Sequence, residues 1–185
     1  MKKSIILTAL LLLFCILLLL SFNQYRMAAS KINNYFSFST RNYYSELEKS
    51  FALITNLMQV IDSSDTQGIA TYLESLNNSM IRLSLIMESL SCYFDCENAG
   101  GLITGDFPAS LLFEKYAEKV YEMERFVLSQ PKLSKEQINE LKNKLTLLKN
   151  DIVIFKSLNV NKNMSAKKIN SILSLLAEKL KFLNE

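Results

Sequence analysis

The chain has 185 residues, of which 49% are hydrophobic, and it carries 21 Lys and Arg against 18 Asp and Glu, with no histidine. A net charge of only +3 argues against nucleic-acid binding, which needs a concentrated positive surface. Without histidine there is no Ser-His-Asp or Cys-His nucleophile and no His-based zinc, haem or di-iron site. We therefore expect a protein that is not an enzyme and that uses no cofactor or metal.

The first predicted element is a membrane anchor. Residues 4–25 contain no charged side chain and follow Lys2 and Lys3. About 20 apolar residues in a helix cross the roughly 30 Å hydrocarbon layer, so residues 1–25 are predicted to be an anchor in which residues 4–25 contact the lipid bilayer. A cleaved signal peptide is the main alternative, but the apolar stretch is long and no clean cleavage site follows it. A lipoprotein at Cys15 is disfavoured because Phe14 is too large for a lipobox.

The charges around the anchor bear on its orientation. Lys2 and Lys3 favour a cytoplasmic N-terminus, although Arg26, Lys31 and Arg41 follow the span before any acidic residue. A short tail with two lysines is the usual form of an anchor with a cytoplasmic N-terminus. We therefore expect a single-pass membrane protein whose residues 26–185 lie outside the cytoplasm.

The remaining residues predict an all-α fold, namely an antiparallel bundle of about five helices. Four Gly and two Pro leave little material for turns, and apolar residues recur at alternating steps of three and four, as in a coiled coil. A hairpin over 26–95 has a first helix from near Met27 or Lys31 to about Ile61, and Ser64 with Gln67 offers a capping box for the second. Its two apolar stripes are Leu47, Phe51, Ile54, Met58 and Ile61, and then Ile69, Leu73, Leu76, Met80, Leu83, Met87, Leu90 and Phe94.

A glycine-rich hinge over 96–107 separates this hairpin from three further helices at 108–130, 134–158 and 165–184. Pro108 suits a first helical turn, and the segment from Leu133 to Ile138 has the pattern of a hydrophobic staple and capping box. The stripes of these helices are Ala109, Phe113, Tyr116, Val120, Met123 and Val127; then Ile138, Leu141, Leu145, Leu148, Ile152 and Phe155; and last Ile169, Ile172, Leu176, Leu180 and Leu183.

Two cysteines outside the anchor are the residues of reactive type. Cys92 and Cys96 are four apart at the end of a predicted helix, which places their Cα atoms roughly 6 Å apart, within reach of a disulfide if the last turn frays. Outside the cytoplasm that bond would staple the hinge. Unpaired structural cysteines and a copper or redox pair are the alternatives, and no Met or His is placed to complete a metal site.

Two groups of residues are candidate partner contacts. Leu102, Ile103 and Phe107 are apolar residues in a hinge that a solvated linker would not need, so they either close the end of the bundle or contact a partner. Glu114, Glu118 and Glu122 follow one face of a helix. Lys115 and Lys119 run beside them, so a solvated charged face is the plain interpretation and a lysine-rich partner the functional one.

The order of elements also resembles a known family. An N-terminal anchor, a long helix near Asn42-Tyr43-Tyr44, a hairpin, Gly105-Asp106-Phe107 opening a third helix and Leu133-Ser134-Lys135-Glu136 opening a fourth are similar to the N-terminal half of the YpeB family. Those proteins of endospore-forming bacteria help a cortex-lytic enzyme to accumulate in the spore and act at germination. The resemblance implies a bacterial cell membrane, or a spore membrane, and a protein partner. The C-terminal PepSY-type domains of that family have no counterpart in this chain, so the resemblance does not imply the inhibitory or enzyme-partner role associated with those domains.

Two non-enzymatic functions follow from these features. The first is an envelope protein, active in sporulation or germination, that binds or stabilises a protein partner. The second is an extracytoplasmic sensor or receptor subunit that lacks its own output domain, since only Met1 to Ser4 would lie in the cytoplasm. Neither function fixes an oligomeric state.

Overall fold

The computed structural model describes residues 2–63, 65–96, 108–158, 160, 171–172, 175–176 and 179–184, with side chains from Leu13 onward except at 91–96 and 108–109. Within these ranges the regular structure is helical, with no strand, which confirms the all-α class. The helices are α1 (Lys2–Val60), α2 (Thr66–Cys96), α3 (Pro108–Leu128), α4 (Lys135–Ser157) and α5 (Lys181–Asn184).

The chain divides into two compact units, Met1–Phe38 and Ser39–Glu185. In the first unit, the large apolar side chains between Leu13 and Leu20 are each 48–68% exposed. In the part of the chain that is described, α1 is the one helix long and apolar enough to span a membrane.

Helix α1 is longer than the sequence predicts. A separate helix was expected to begin near Met27 or Lys31, but the structure has no helix boundary there and α1 runs from Lys2 to Val60. The physical reason lies in the sequence: the first glycine is Gly68 and both prolines come later, so no residue in this stretch breaks a helix. The expected end near Ile61 is confirmed.

The second unit is an antiparallel four-helix bundle, as its cross-helix contacts show. Ser50 of α1 meets Ser79 of α2, and Glu46 meets Arg82, so these two helices run in opposite directions. Helix α4 is antiparallel to α1 because Lys142 reaches Asp62 whereas the later Lys156 reaches the earlier Glu48. Helix α3 closes the ring, with Ser84 of α2 donating to Glu114 and Tyr116 donating to Asp151 of α4. This is the up-down-up-down arrangement of four-helix bundles.

Three of the predicted seams form the core. Every described residue of the α2 and α3 stripes is at most 6% exposed, from Ile69 to Leu90 and from Phe113 to Val127. In α4 the stripe residues Leu141, Leu145, Leu148, Ile152 and Phe155 are at most 4% exposed, and the first stripe residue, Ile138, is half-buried. Their alternating steps of three and four were sufficient to identify the buried faces.

The predicted seam of α1 was wrong at two positions. From Tyr43 onward the buried residues are Tyr43, Leu47, Ser50, Ile54, Leu57 and Ile61, whereas Phe51 and Met58 are only half-buried. Ser50 occupies a core position, but because serine is polar, the apolar pattern in the sequence does not identify that position as buried. That hydroxyl is satisfied by the Glu46 carbonyl and by Ser79 Oγ, each at 2.8 Å, so its burial leaves no unpaired polar group.

Helix caps agree with the sequence at α4 and differ at α2. Ser134 Oγ accepts from the Gln137 N–H at 3.2 Å while Gln137 Oε1 accepts from the Ser134 N–H at 2.8 Å, so the capping box is confirmed. At α2, Asp65 Oδ1 accepts from the Gly68 N–H at 2.7 Å, and Asp65 is therefore the cap. Ser64 lies outside the described residues.

The C-terminal region differs from the single helix expected over 165–184. Residues 171–172 and 175–176 are helical, but Lys179 lies in a turn and Leu180 is not helical, and α5 then begins at Lys181. The N–H groups of Lys179 and Leu180 both donate to the Leu176 carbonyl, as at a helix end. This break turns Phe182, which was not on the predicted stripe, into the core at 3% exposure.

Candidate functional site

An open groove of about 410 Å³ runs between α3 and α4 and ends at α5. Its apolar lining comes from Met123, Phe126, Leu141 and Phe182, and its rim carries Lys119, Glu122, Gln137, Glu140 and Lys144. On that rim Lys144 bridges Glu140 at 2.7 Å. An apolar floor with a few polar groups at its edge is the usual composition of a binding cleft.

Asp151 lies beside this groove and is the only charged side chain buried in the described part of the chain, at 1% exposure. Tyr116 donates its hydroxyl to Asp151 Oδ2 at 2.8 Å. The backbone N–H groups of Lys181 and Phe182 donate to Oδ1 and Oδ2 at 3.1 and 3.0 Å. A residue of α4 therefore caps the N-terminus of α5, which satisfies backbone donors that the helix itself leaves free.

Phe182 fills the end of the groove next to Asp151. Its ring stacks on that of Tyr116, with centroids 5.7 Å apart and planes 10° apart. Lys119 donates to the Phe182 carbonyl at 3.0 Å and its ammonium lies 5.7 Å from the ring centroid. Three side chains from α3 and α4 thus hold one residue of the C-terminal segment.

Tyr116 acts only as a hydrogen-bond donor under ordinary conditions. Burial raises the pKa of its phenol far above its usual range, and the neighbouring Asp151 carboxylate raises that pKa further. The hydroxyl therefore keeps its proton and continues to donate to Asp151 over the physiological pH range.

The bundle places the three predicted glutamates in different surroundings. Glu114 accepts from Ser84 of α2 at 3.2 Å, Glu122 lies on the rim of the groove toward α4, and Glu118 is exposed. Steps of four residues rotate slowly around a helix of 3.6 residues per turn, so a row of three drifts from one neighbour to the next. Only Glu122 belongs to the groove.

The other predicted site residues lie beyond what the structure describes. Leu102, Ile103 and Phe107 are outside the described residues. Cys96 is the last residue of α2, but the side chains of Cys92 and Cys96 are not described. The hinge contact and the disulfide remain predictions.

The burial of Asp151 was not predicted, although the sequence contains a signal for it. Leu148, Asp151 and Phe155 are spaced by three and four residues, which is the spacing of a core seam. The neighbouring Ile152 is apolar and also fits the spacing of the seam, so the buried position was assigned to Ile152 alone.

A row of lysines at seven-residue spacing was also missed. Lys142 contacts Asp62 at 2.6 Å, Lys149 lies 4.7 Å from the centre of the Phe51 ring, and Lys156 lies 4.8 Å from that centre. This row covers Phe51 and explains why that ring is only half-buried. These contacts hold α4 against α1, so we interpret them as structural.

In the described part of the chain no three His, Cys, Asp or Glu side chains lie close enough to hold a metal ion. The class that the fold and groove define is an all-helical protein: a four-helix bundle that follows a long apolar N-terminal helix segment. Comparison with protein-family models, with curated proteins and with solved structures gives no match in any of the three.

Proposed function

We propose that this chain is a non-enzymatic, membrane-anchored envelope protein whose helical bundle binds or stabilises a protein partner. The observation that supports the anchor is the exposure of the apolar side chains between Leu13 and Leu20. Such a surface is unfavourable in water and favourable in a hydrocarbon layer. With Lys2 and Lys3 in the cytoplasm, the bundle lies outside the bacterial cell membrane.

The groove between α3 and α4 is the proposed partner contact. Phe126 lines it and is 41% exposed. Aromatic residues at an open apolar cleft are the usual anchors of protein interfaces. Glu122 on the rim adds a carboxylate that suits a basic residue of the partner.

A role in sporulation or spore germination rests on the resemblance to the YpeB family alone. In that role the partner is another protein of the spore envelope.

A photo-crosslinking amino acid at position 126 tests the proposal in the intact chain. We expect one discrete protein adduct in sporulating cells, and none when the same amino acid replaces Leu85, a control position on α2 that is 56% exposed. Phe126→Ser should abolish co-purification of that protein without lowering the melting temperature. Equal adducts at both positions would reject the groove as the contact.

The sensor function has one observation in its favour, because a volume of about 410 Å³ lies within the range of small-molecule sites. A bound metabolite that co-purifies with the wild-type protein and is lost with Phe126→Ser, with no protein adduct at position 126, would replace the first proposal with this one.

A further inference from the structure

The buried charge of Asp151 is unusual because all three of its described hydrogen-bond donors are neutral. They are the Tyr116 hydroxyl and the backbone N–H groups of Lys181 and Phe182. A buried carboxylate loses its hydration, and its hydrogen bonds rarely return more free energy than a well-packed apolar side chain would. The packing of α3 against α4 therefore does not require an acidic side chain at position 151. What the acid adds is a specific bond to the segment 179–184.

That segment depends on Asp151 for its structure. A four-residue helix is unstable alone, because forming its first turn fixes several dihedral angles for one hydrogen bond. The contacts that hold the segment also include the stacking of Phe182 on Tyr116, the Lys119 hydrogen bond and the burial of Leu180, while the N–H groups of Lys179 and Leu180 bind the Leu176 carbonyl.

Helices α3 and α4 do not need the segment to stay together. Phe113 packs on Phe155 with ring centroids 4.9 Å apart, and Tyr116 packs edge-on to Phe155 at 5.6 Å. The segment can therefore open as a local unit while the bundle remains folded.

If the segment were released, the Asp151 carboxylate would not remain buried without hydration. Water would reach Asp151 and replace the two lost N–H donors, so opening avoids the penalty of an unpaired buried carboxylate. The surface uncovered would be the face of the Tyr116 ring with one carboxylate beside it. Because Phe182 lines the groove, this surface would continue the floor formed by Met123 and Leu141.

We propose that residues 179–184 form a releasable latch that closes one end of the α3–α4 groove and that a partner segment displaces. The partner segment has the same features as residues 179–184. It carries an aromatic side chain at the N-terminus of a helix, and its free backbone N–H groups bind Asp151. The identity of the incoming segment rests on the proposed function. The opening of the latch is a property of this chain alone.

Hydrogen exchange of the full-length protein in detergent tests the latch. We expect the peptide containing Phe182 to exchange at least tenfold faster than amides of α4 between Leu145 and Ile152. Lys181→Pro removes one donor to Asp151, and proline is tolerated at a first helical position. It should speed exchange in that peptide about another tenfold, as expected for one bond lost to a charged acceptor, and leave α4 unchanged.

Two further variants distinguish loss of the N–H donor from loss of side-chain contacts. Lys181→Ala keeps the N–H and changes only an exposed side chain, so its exchange should match the wild type. Phe182→Ala keeps both N–H donors but loses the ring stacking, and it should also speed exchange. The latch is rejected if the Phe182 peptide exchanges only together with α4, or if neither Lys181→Pro nor Phe182→Ala alters its rate. Normal latch opening without any adduct at position 126 would instead reject only the proposed function.

Discussion

Among the described residues, Tyr43 and Tyr116 are the largest fully buried side chains, and each is placed by a hydrogen bond. Tyr43 donates to the Phe155 carbonyl at 3.4 Å and Tyr116 to Asp151. Burial raises the pKa of both phenols well above the usual value of about 10, and Tyr44 and Asp151 respectively add to that rise.

This pair predicts alkaline destabilisation of the bundle. Because the folded pKa values exceed the unfolded ones, the folded state holds its phenolic protons longer, and stability is complete below about pH 10 and falls above it. Each phenol should remove about 1.4 kcal/mol of unfolding free energy per pH unit in that range. Denaturant titrations of the wild type at several pH values, with tyrosinate absorbance as a second signal, measure this slope.

The double variant Tyr43→Phe, Tyr116→Phe should have a flatter stability profile above about pH 10. Tyr121→Phe is the matched control because Tyr121 is 49% exposed, and it should keep the wild-type slope. Ionisation of all eight tyrosines at one common pH before unfolding would show that neither phenol is buried.

Helix α2 shows how completely a helical element is specified by its apolar period. Leu76 and Leu83 are at most 1% exposed, whereas Asn77, one position beyond Leu76, is half-buried. One residue turns the helix by about 100°, so neighbouring positions face different surroundings.

Placing an acid on this seam should unfold the bundle. Leu76→Asp or Leu83→Asp buries a carboxylate without a partner, which costs several kcal/mol against a total stability of roughly 5–15 kcal/mol. Asn77→Asp should change stability by less than about 1 kcal/mol. Circular dichroism melts of the three variants distinguish them, and equal tolerance at all three positions would show that the register of α2 is incorrect.

In helix α1 the apolar period does not identify the whole buried face. Its buried stripe passes through Ser50, and the apolar Phe51 next to it lies under Lys149 and Lys156 instead of in the core. A core seam that contains a serine is recognised only when the residue that hydrogen-bonds to that serine is known. Here the partner is Ser79, which comes from another helix.

For the chain as a whole, membrane topology is the main prediction. A phosphatase reporter fused after Glu185 should be active, because that enzyme folds only after export, and a fluorescent cytoplasmic reporter at the same site should stay dark. The reverse pair of signals would invert the proposed orientation.

Membrane attachment is tested by fractionation. The full-length chain should remain in the membrane pellet through washes with high salt and with alkaline carbonate, because apolar contact with lipid is not weakened by ions. Replacing Leu17 and Leu18 with Lys should release it, since charged residues are strongly unfavourable in the hydrocarbon layer. Release of the wild type by carbonate would indicate that the apolar segment is cleaved or does not span.

Local sequence patterns were enough to establish the helical class, the ends of α3 and α4 to within two residues and most of the buried faces. These features depend on few residues that break helices, an apolar period near 3.6, Pro108 at a helix start and a capping box at Ser134. Each is set by residues within a few positions of one another, so it can be read along the chain.

The groove and its buried acid, by contrast, follow from the packing of distant segments. Asp151 faces Tyr116 and the N-terminus of α5, and these groups are at least 30 residues from it in sequence. The groove exists because α3 and α4 pack side by side and Phe182 closes one end. Such features depend on which helices become neighbours and on hydrogen bonds that satisfy buried polar groups, and no local pattern encodes either of them.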